Sequence, residues 1–342
     1  MSNGEQAGAV YVQTNEPTNR VVVFRRAGDG ALSESASYET GGAGSGTPHL
    51  TSQGSVVLTA DGAHLLVTNA ASDDVSVFGI GADGGLVLVG RTPAGPAPKS
   101  VTEHRGLVYV LATGEPTLTG FRLGTDGLEP IAGAVHALSP GADPAQVAFT
   151  PDGAALIVTE RGADAITAVA VEAGGTPGSS HTGPSSGPTP YGFALTSGGT
   201  LVVSEAFRAQ KGAAAASSYT VDGTTVTPVT MSAGNGRSEI CWVVVTPDGR
   251  FAFTTNFADG AVSRYSIASD GSLTLDDAAA GMTVDGRPGL RDEGLTADGR
   301  WLYAIDADSG SIFGWGVGDD GVLSPVGSWA GLPMTVAGLA AG

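Results

Sequence analysis

The sequence predicts an all-β fold, a seven-bladed β-propeller with four antiparallel strands per blade, and three observations support this prediction. A unit of short apolar strands recurs about every 45 to 50 residues along the chain. Asp-Gly turns separate the strands at corresponding positions of this unit. The two chain ends read as complementary parts of one further unit. Together these features are typical of propeller blades.

The repeat is clearest where a short apolar strand ends in Thr-Pro-Asp-Gly or Thr-Ala-Asp-Gly. Four clear copies occupy residues 56–62, 147–153, 243–249 and 294–299, and two weaker copies end at residues 104–106 and 197–199. Glycine tolerates the positive φ of a tight turn, so Asp-Gly between two β-rich runs predicts a hairpin. A second apolar strand follows each turn, then a third, and then a fourth that we expect to be short and polar.

The chain ends predict how the ring closes. Residues 335–340 resemble a first strand without a hairpin partner after it, while residues 9–15, 20–24 and 32–37 resemble a second, third and fourth strand. We expect the C-terminal strand to pair with the N-terminal strands, so that residues 1–342 form one propeller domain. Closure leaves few unpaired edges. The alternative, a pair of β-sandwiches, gives no reason for Asp-Gly hairpins at this spacing.

Composition excludes several function classes. The net charge is −18 and the longest basic cluster is Arg25-Arg26, so nucleic-acid binding is not expected. No apolar run is long enough to span a membrane, so we expect a soluble, acidic protein that does not bind one.

The N-terminus and the cysteine content bear on location. Residues 1–6 lack the pattern of a signal peptide, which predicts a cytoplasmic protein unless a signal was removed, as in a secreted or periplasmic one. Cys241 is the single cysteine, so an intrachain disulfide cannot form. We expect a monomer that acts on a small molecule without a cofactor.

The predicted site lies at the ring face where first strands begin and second strands end. Polar side chains from several blades can meet there around the central channel. The Asp-Gly turns lie on the opposite face, where turn formation explains their carboxylates. Candidate substrate-binding residues at the site face are Lys99, Gln146, Glu160, Tyr191, Glu205, Arg237, Trp242, Asn256, Arg287 and Glu293.

Two kinds of residue could carry acid–base chemistry at this face. His49 is the only histidine placed directly before a first strand, so it could act as a general base, or it could hydrogen-bond a neighbouring blade. The late-blade arginines Arg237, Arg287 and Arg291 could bind a carboxylate or polarise a carbonyl. Salt bridges to nearby acids explain these arginines equally well; those acids are Glu239, Asp292 and Glu293.

Other features have simpler explanations. The residues that end second strands could form a ring of oxygen ligands for a cation, but their recurrence favours turn caps, and we predict no metal site. These residues are Asn69, Glu160, Glu205, Asn256 and Asp306. Cys241 beside Trp242 is typical of a buried, inert thiol. Residues 174–190 and 206–218 form loops longer than a blade needs, and act either as a lid or as surface insertions.

The repeat and several local stretches resemble the bacterial branch of the seven-bladed β-propeller lactonase family, related to 6-phosphogluconolactonase and to fungal carboxymuconate lactonising enzymes. The resemblance is carried by residues 69–78, 158–161, 204–206 and 241–250 and covers nearly the whole chain. It implies a propeller fold and a channel that uses a histidine, arginines and a glutamate. His49, Arg237, Arg291, Glu239 and Glu293 occupy suitable ends for these roles.

The function predicted from this reasoning is a lactonase-like hydrolase that opens a lactone ring by general-base catalysis. The expected catalytic residues are His49, Glu239 and Arg291, with arginine stabilising the oxyanion. Two alternatives stay open: a lyase or cycloisomerase that acts on a carboxylated small molecule in the same channel, and a non-catalytic propeller that binds a ligand or a protein.

Overall fold

The computed structural model describes residues 6–48, 50–284 and 286–342, and these residues form seven four-stranded antiparallel sheets. Each sheet is one blade. Blade 7 joins both chain ends and consists of β1 (Gln6–Gln13), β2 (Arg20–Ala27), β3 (Leu32–Glu39) and β28 (Leu339–Ala341). The prediction of a seven-bladed propeller closed by the C-terminal strand is therefore confirmed.

The other six blades follow in chain order, each from its inner to its outer strand. Blade 1 has β4 (Val56–Leu58), β5 (His64–Asn69), β6 (Asp74–Ile80) and β7 (Leu86–Pro93). Blade 2 has β8 (Pro98–His104), β9 (Leu107–Ala112), β10 (Thr117–Gly124) and β11 (Gly127–Ala137). Blade 3 has β12 (Pro144–Phe149), β13 (Ala155–Glu160), β14 (Ala165–Val171) and β15 (Pro177–Pro184).

The second half of the ring repeats the same arrangement. Blade 4 has β16 (Pro190–Leu195), β17 (Thr200–Glu205), β18 (Ala215–Asp222) and β19 (Thr225–Gly234), with a short 3₁₀ turn at Phe207–Ala209. Blade 5 has β20 (Ile240–Val245), β21 (Phe251–Asn256), β22 (Ala261–Ile267) and β23 (Leu273–Met282). Blade 6 has β24 (Leu290–Leu295), β25 (Trp301–Asp306), β26 (Ser311–Val317) and β27 (Leu323–Ala330). None of the helices among these residues is long and apolar enough to cross a membrane.

Three sequence expectations need correction. The fourth strands are not short: β11 has 11 residues, and the outer strands bend at bulges in their pairing with the third strands. Residues 174–190 are not simply a loop, because β15 lies within them as the outer strand of blade 3. The closing strand β28 pairs with β1 over three residues only and begins four residues later than the predicted residue 335.

The Asp-Gly turns form the hairpins that the sequence predicts. Gly62 and Gly153 have φ values of 68° and 73°, in the left-handed region that favours glycine. The hydroxyl of Thr59 donates a 2.6 Å hydrogen bond to Asp61, and this bond lowers the pKa of the aspartate. Equivalent bonds recur in blades 3, 5 and 6. These carboxylates therefore serve the turns, on the face opposite the predicted site.

The hydrophobic core lies between blades, because each sheet packs its faces against its two neighbours. Blades 3 and 4, for example, share one cluster in which Ile157 and Ile166 contact Phe193, Leu201 and Val203. The inner strands contact each other in sequence around the ring, from β4 to β28 and back to β4. They therefore surround a central bore. We call its two ends the strand-start mouth and the hairpin mouth.

Candidate active site

Five inner strands begin with the same irregularity, a β-bulge. In β8, β12 and β20 the residue after the first is left out of the pairing with the neighbouring strand, and in β16 and β24 the next two residues are left out. A bulge redirects the side chain that it contains and is frequent beside functional sites. The first residues of these bulges are Lys99, Ala145, Tyr191, Cys241 and Arg291. The bulges therefore present five side chains at the strand-start mouth.

Aromatic rings form one wall of the strand-start mouth. Tyr191 and Trp242 meet edge to face with ring centres 5.3 Å apart, and they belong to one buried cluster with Ala145 and Cys241. Phe257 packs against this cluster. Because these residues come from blades 3, 4 and 5, the cluster joins neighbouring blades around the bore.

Arg291 is the most unusual cation of the site. Its side chain is 5% exposed, its guanidinium carbon lies 5.5 Å from the ring centre of Phe257, and it forms no ion pair with any described residue. Its Nε and Nη1 atoms donate no hydrogen bond within the described part of the chain. Burial lowers the pKa of Arg291, while Asp308, Tyr191 and Asp306 raise it. A buried guanidinium with free N–H groups is suited to bind an anion or a polarised carbonyl.

The hydroxyl of Tyr191 is a second free donor. Tyr191 is 2% exposed, and its oxygen has no hydrogen-bond partner among the residues that the structure describes. Burial raises the pKa of Tyr191 well above its usual value, Cys241 raises it further, and Arg161 lowers it. The hydroxyl therefore stays protonated at neutral pH and can donate to a bound molecule.

Lys99 and Arg161 add positive charge beside this wall. The ammonium of Lys99 donates to the hydroxyl of Thr51 at 3.2 Å, and burial lowers its pKa, assisted by Arg161. Arg161 lies over the ring of Tyr191, 5.1 Å from its centre, and pairs with Asp143 at 2.6 Å. Sequence reasoning did not select Arg161 as a site residue, although it directly follows the last residue of β13.

Glu239 is the partly buried carboxylate of this face. Burial raises the pKa of Glu239, and the nearby Asp259 raises it further. Its backbone carbonyl accepts a hydrogen bond from the Phe257 amide at 2.9 Å and one from the Cys241 thiol at 3.4 Å. Burial also raises the pKa of Cys241, which is a protonated and unreactive thiol, as expected.

Asp292 and Glu293 are buried acids beside the bore. Asp292 accepts backbone hydrogen bonds from Glu293 at 3.0 Å and from Leu339 at 3.3 Å. Glu293 is 3% exposed and neither of its carboxyl oxygens has a hydrogen-bond partner among the described residues. Burial raises the pKa of both acids well above the usual range, and Asp292 raises that of Glu293 further. Burial therefore favours the neutral form of both carboxyls.

Three predicted substrate-binding residues are buried in their own blades with local partners. Glu205 accepts hydrogen bonds from the Gly187 amide and from two serine hydroxyls, and Asn256 bonds Asn235 and its own third strand. Glu160 accepts a 2.6 Å bond from Thr167. These contacts give each residue a structural role as a turn anchor. Their predicted contact with substrate stays a prediction.

The remaining predicted residues are scattered. Arg237 donates to the carbonyl of Ala278 on the outer strand β23, and Arg287 is exposed. Gln146 bridges to both backbone groups of Phe193 in the next blade. His49, the predicted base, lies outside the described residues. The structure places Lys99, Tyr191, Trp242, Glu239 and Arg291 at the strand-start mouth. Arg237 contacts the outer strand β23 instead, and Arg287 lines a separate surface pocket with Asp306 and Asp308.

The described residues do not assemble a set of metal ligands. Within residues 6–48, 50–284 and 286–342, no three histidine, cysteine, aspartate or glutamate side chains come together in a way that could hold an ion. The mouth instead combines free cationic and hydroxyl donors with an aromatic wall.

Fold and mouth together define a seven-bladed propeller whose bore has one end with buried polar donors and an aromatic wall. The chain belongs to the family described as lactonase, 7-bladed β-propeller, because the family's sequence model matches residues 5–115, 101–211 and 205–333. The resemblance seen in the sequence is thus confirmed. A comparison with curated proteins found no significant match.

Solved structures agree with the fold. A candidate 6-phosphogluconolactonase from Bacteroides fragilis has a TM-score of 0.78 at 17% identity over 100% of this chain and 99% of that one. A periplasmic gluconolactonase from Pseudomonas aeruginosa has a TM-score of 0.74 at 16% identity over 98% of each chain. A functionally unknown protein from Desulfotomaculum acetoxidans has a TM-score of 0.76 at 14% identity over 98% of each chain. At such identities the likeness shows the fold alone.

Proposed function

We propose that this protein is a hydrolase that opens a lactone ring at the strand-start mouth. The observation that carries the proposal is the buried guanidinium of Arg291, whose Nε and Nη1 donate to no described residue. Membership of the lactonase family supports the reaction class. A buried donor without an acceptor costs free energy, so a bound carbonyl or carboxylate would supply the contact that the fold leaves open.

Arg291 and Tyr191 would bind the lactone carbonyl. When water attacks the carbonyl carbon, the carbonyl oxygen gains negative charge, and the free N–H groups of Arg291 stabilise it. A well-placed donor of this kind contributes about 3 kcal/mol to the transition state. The Tyr191 hydroxyl donates the second hydrogen bond, since burial keeps it protonated. Both side chains lie at bulges of inner strands, β16 of blade 4 and β24 of blade 6, which fixes them on rigid elements.

Glu239 would act as the general base. It takes a proton from the attacking water, and its raised pKa brings its basicity closer to neutral pH than that of an ordinary carboxylate. The C–O bond of the ring then breaks, and the protonated carboxyl of Glu239 returns the proton to the leaving alkoxide. The product is an open hydroxy acid. His49 is the other predicted base, and replacing each residue separately distinguishes their roles.

Lys99 and Arg161 favour a second candidate reaction. Arg291 and Tyr191 suffice for the oxyanion of a neutral lactone, whereas two further cations beside Tyr191 suit a substrate that carries its own carboxylate. On such a substrate a lyase opens the lactone by proton abstraction and elimination, and a cycloisomerase forms it in the reverse direction, by addition of a carboxylate to a double bond and protonation of the adjacent carbon. The products separate the two candidates: hydrolysis gives a hydroxy acid, and elimination gives an unsaturated acid with ultraviolet absorbance.

The test is turnover of a lactone panel by purified protein, including plain γ- and δ-lactones and lactones with a carboxylate substituent. We expect hydroxy acid as the product and a loss of about 10²- to 10³-fold in kcat for Arg291→Ala. The matched control is Arg300→Ala, because Arg300 also lies over an aromatic ring, that of Trp301 at 5.7 Å, but is exposed on the hairpin face. Equal rates for both variants would refute the proposal.

A propeller that only binds its ligand would give a different result. It would bind members of the panel through Arg291 without turnover, and Arg291→Ala would weaken binding alone. Isothermal titration with the same compounds measures this outcome directly.

A further inference from the structure

A short segment of the chain crosses the central bore. We call residues 51–54 the septum. On one side, the Gly54 carbonyl accepts the Val101 amide of blade 2 at 2.8 Å. On the other side, the Gln53 amide donates to the Ala145 carbonyl of blade 3 at 3.2 Å, and the Trp242 indole of blade 5 donates to the Ser52 carbonyl at 2.8 Å. The septum therefore spans from blade 1 to the far side of the ring.

The side chain of Gln53 fixes the septum to blade 5. Its amide nitrogen donates to the Val243 carbonyl at 2.7 Å, and its amide oxygen accepts the Val243 N–H at 3.1 Å. In blades 3 and 4, the backbone N–H at the position of Val243 donates to a side chain of the preceding blade. The Val147 N–H donates to the Ser100 hydroxyl, and the Phe193 N–H donates to the Gln146 side-chain oxygen. Gln53 makes the same kind of bond, but from across the bore.

Gly192 explains why Gln53 is needed and how it fits. Blade 4 has glycine at the position of Ser100 and Gln146, so it has no side chain to bond the Val243 amide. A Cβ atom at Gly192 would lie 2.1 Å from the Gln53 amide oxygen and 2.5 Å from the Cys241 carbonyl. The absence of this side chain therefore leaves the space that Gln53 occupies.

A cavity of about 390 Å³ lies on the hairpin side of the septum, with Gln53 in its wall. Most of its lining is aliphatic, and the lining includes Val57, Leu58, Val147, Val244, Leu295 and Leu339. Its acids are Asp292 and Glu293, and burial raises the pKa of both, which favours their uncharged forms. Walls of this kind suit an alkyl chain. The septum separates this apolar cavity from the polar strand-start mouth.

We propose that Gln53 is a specificity-determining residue: it closes the floor of the substrate pocket and limits the protein to compact lactones without a long alkyl substituent. This inference rests on the proposed function. A lactone bound at Arg291 and Tyr191 meets the septum before any chain on its ring reaches the apolar cavity. Removing the Gln53 side chain joins the two compartments and opens a path for that chain.

The test compares a short lactone, γ-valerolactone, with γ-nonalactone, which carries a longer alkyl chain. For the wild type we expect kcat/KM to favour the short lactone at least tenfold. For Gln53→Ala we expect this preference to fall at least tenfold, because the chain gains an apolar compartment. Gln53→Leu fills the same space without hydrogen bonds and should keep the wild-type preference. Ser100→Ala removes one bond between adjacent blades and should also keep it.

A second readout does not depend on catalysis. A fluorescent fatty-acid analogue, dansyl-undecanoic acid, should bind Gln53→Ala at least tenfold more tightly than the wild type or Gln53→Leu. If no lactone is turned over but this difference in binding is found, the proposed function fails and the role of Gln53 stands. If lactones are turned over but folded Gln53→Ala keeps the wild-type preference and affinity, the role of Gln53 is refuted. Gln53→Ser serves in the same measurements if the alanine variant does not fold.

Discussion

Arg161 lies over the face of Tyr191, with its guanidinium carbon 5.1 Å from the ring centre, while Trp242 meets the same ring at its edge. The tyrosine ring is thus held from two directions by residues of neighbouring blades. Its hydroxyl is left without a hydrogen-bond partner among the described residues. This arrangement combines a fixed aromatic surface with an unpaired donor, and the proposed function depends on both.

We predict that Arg161→Ala weakens substrate binding without destabilising the fold. The substitution removes a cation beside Tyr191 and the ion pair with Asp143. A hydrogen bond to a charged group contributes about 1.5–3 kcal/mol, and each 1.4 kcal/mol is tenfold in affinity, so KM should rise about tenfold or more for a carboxylated lactone. Steady-state kinetics measures this change.

The control for Arg161 is Arg250→Ala. Arg250 makes the same two kinds of contact, over the Phe251 ring at 5.2 Å and with Asp248 at 2.7 Å, but at the hairpin face. The KM of the Arg250→Ala variant should equal that of the wild type. A similar rise in KM for both variants would mean that Arg161 acts only through general stability.

Tyr191→Phe separates function from stability. The substitution removes only a buried hydroxyl without a described partner, so the melting temperature should stay the same or rise. If the hydroxyl donates to the lactone carbonyl, kcat/KM should fall about 10- to 100-fold, as for the loss of one hydrogen bond in the transition state. Calorimetry and kinetics on one preparation check both effects. Unchanged kinetics would remove Tyr191 from the mechanism.

Lys99 offers a test through its pKa. Burial lowers the pKa of Lys99, so its neutral amine should form, and react with an acylating reagent, at lower pH than the amine of a solvated lysine derivative in the same solution. Competitive labelling read by mass spectrometry gives the midpoint of Lys99 with and without ligand. A bound carboxylated lactone should raise the pKa of Lys99 and slow its labelling. Equal midpoints with and without ligand would contradict a role in binding.

Glu293→Val should stabilise the protein in a pH-dependent way. Glu293 takes the strand position that valine holds in three other blades, at Val101, Val147 and Val243. Burial raises the pKa of Glu293 in the folded state. At pH values between its pKa in the unfolded and in the folded protein, the folded protein therefore binds one more proton than the unfolded chain, and the free energy of unfolding falls as pH rises. The gain should be about 1–3 kcal/mol at pH 8 and smaller at pH 4.

Urea denaturation at the two pH values measures this gain. Asp292→Asn is the comparison, because Asp292 accepts two backbone hydrogen bonds and its replacement should not stabilise the fold. A gain for Glu293→Val that is equal at both pH values would show that Glu293 does not titrate abnormally.

The fold was predictable because its signals are local and repeated. The Asp-Gly turns, such as that at Gly153, and the apolar strands on either side of them depend only on residues that are close in the sequence. Ring closure was predictable because the N- and C-terminal segments each lacked a partner that the other supplied. The outer strands were predicted less well, since exposed residues such as those of β15 carry little apolar pattern.

The site was only partly predictable because it depends on bulges and long-range contacts. The structure places Arg291 and Tyr191 at the face that the sequence predicts for them, but the sequence does not show that a bulge redirects each side chain. Arg161 follows the second strand of blade 3 and was placed at this face, but it was not selected, because its contact with the ring of Tyr191 in the next blade cannot be read from the sequence. Gln53 was missed because its partner, Val243, is 190 residues away. Gly192, unlike Ser100 at the same position, was the one available signal.

The most direct test of the proposed site is a crystal structure with a lactam, an analogue of the lactone that resists hydrolysis. The carbonyl oxygen of the lactam should lie within hydrogen-bond distance of Arg291 and of the Tyr191 hydroxyl, at the strand-start mouth and above Gln53. A lactam bound in the cavity on the hairpin side of Gln53, or one that leaves Arg291 and Tyr191 untouched, would contradict the account.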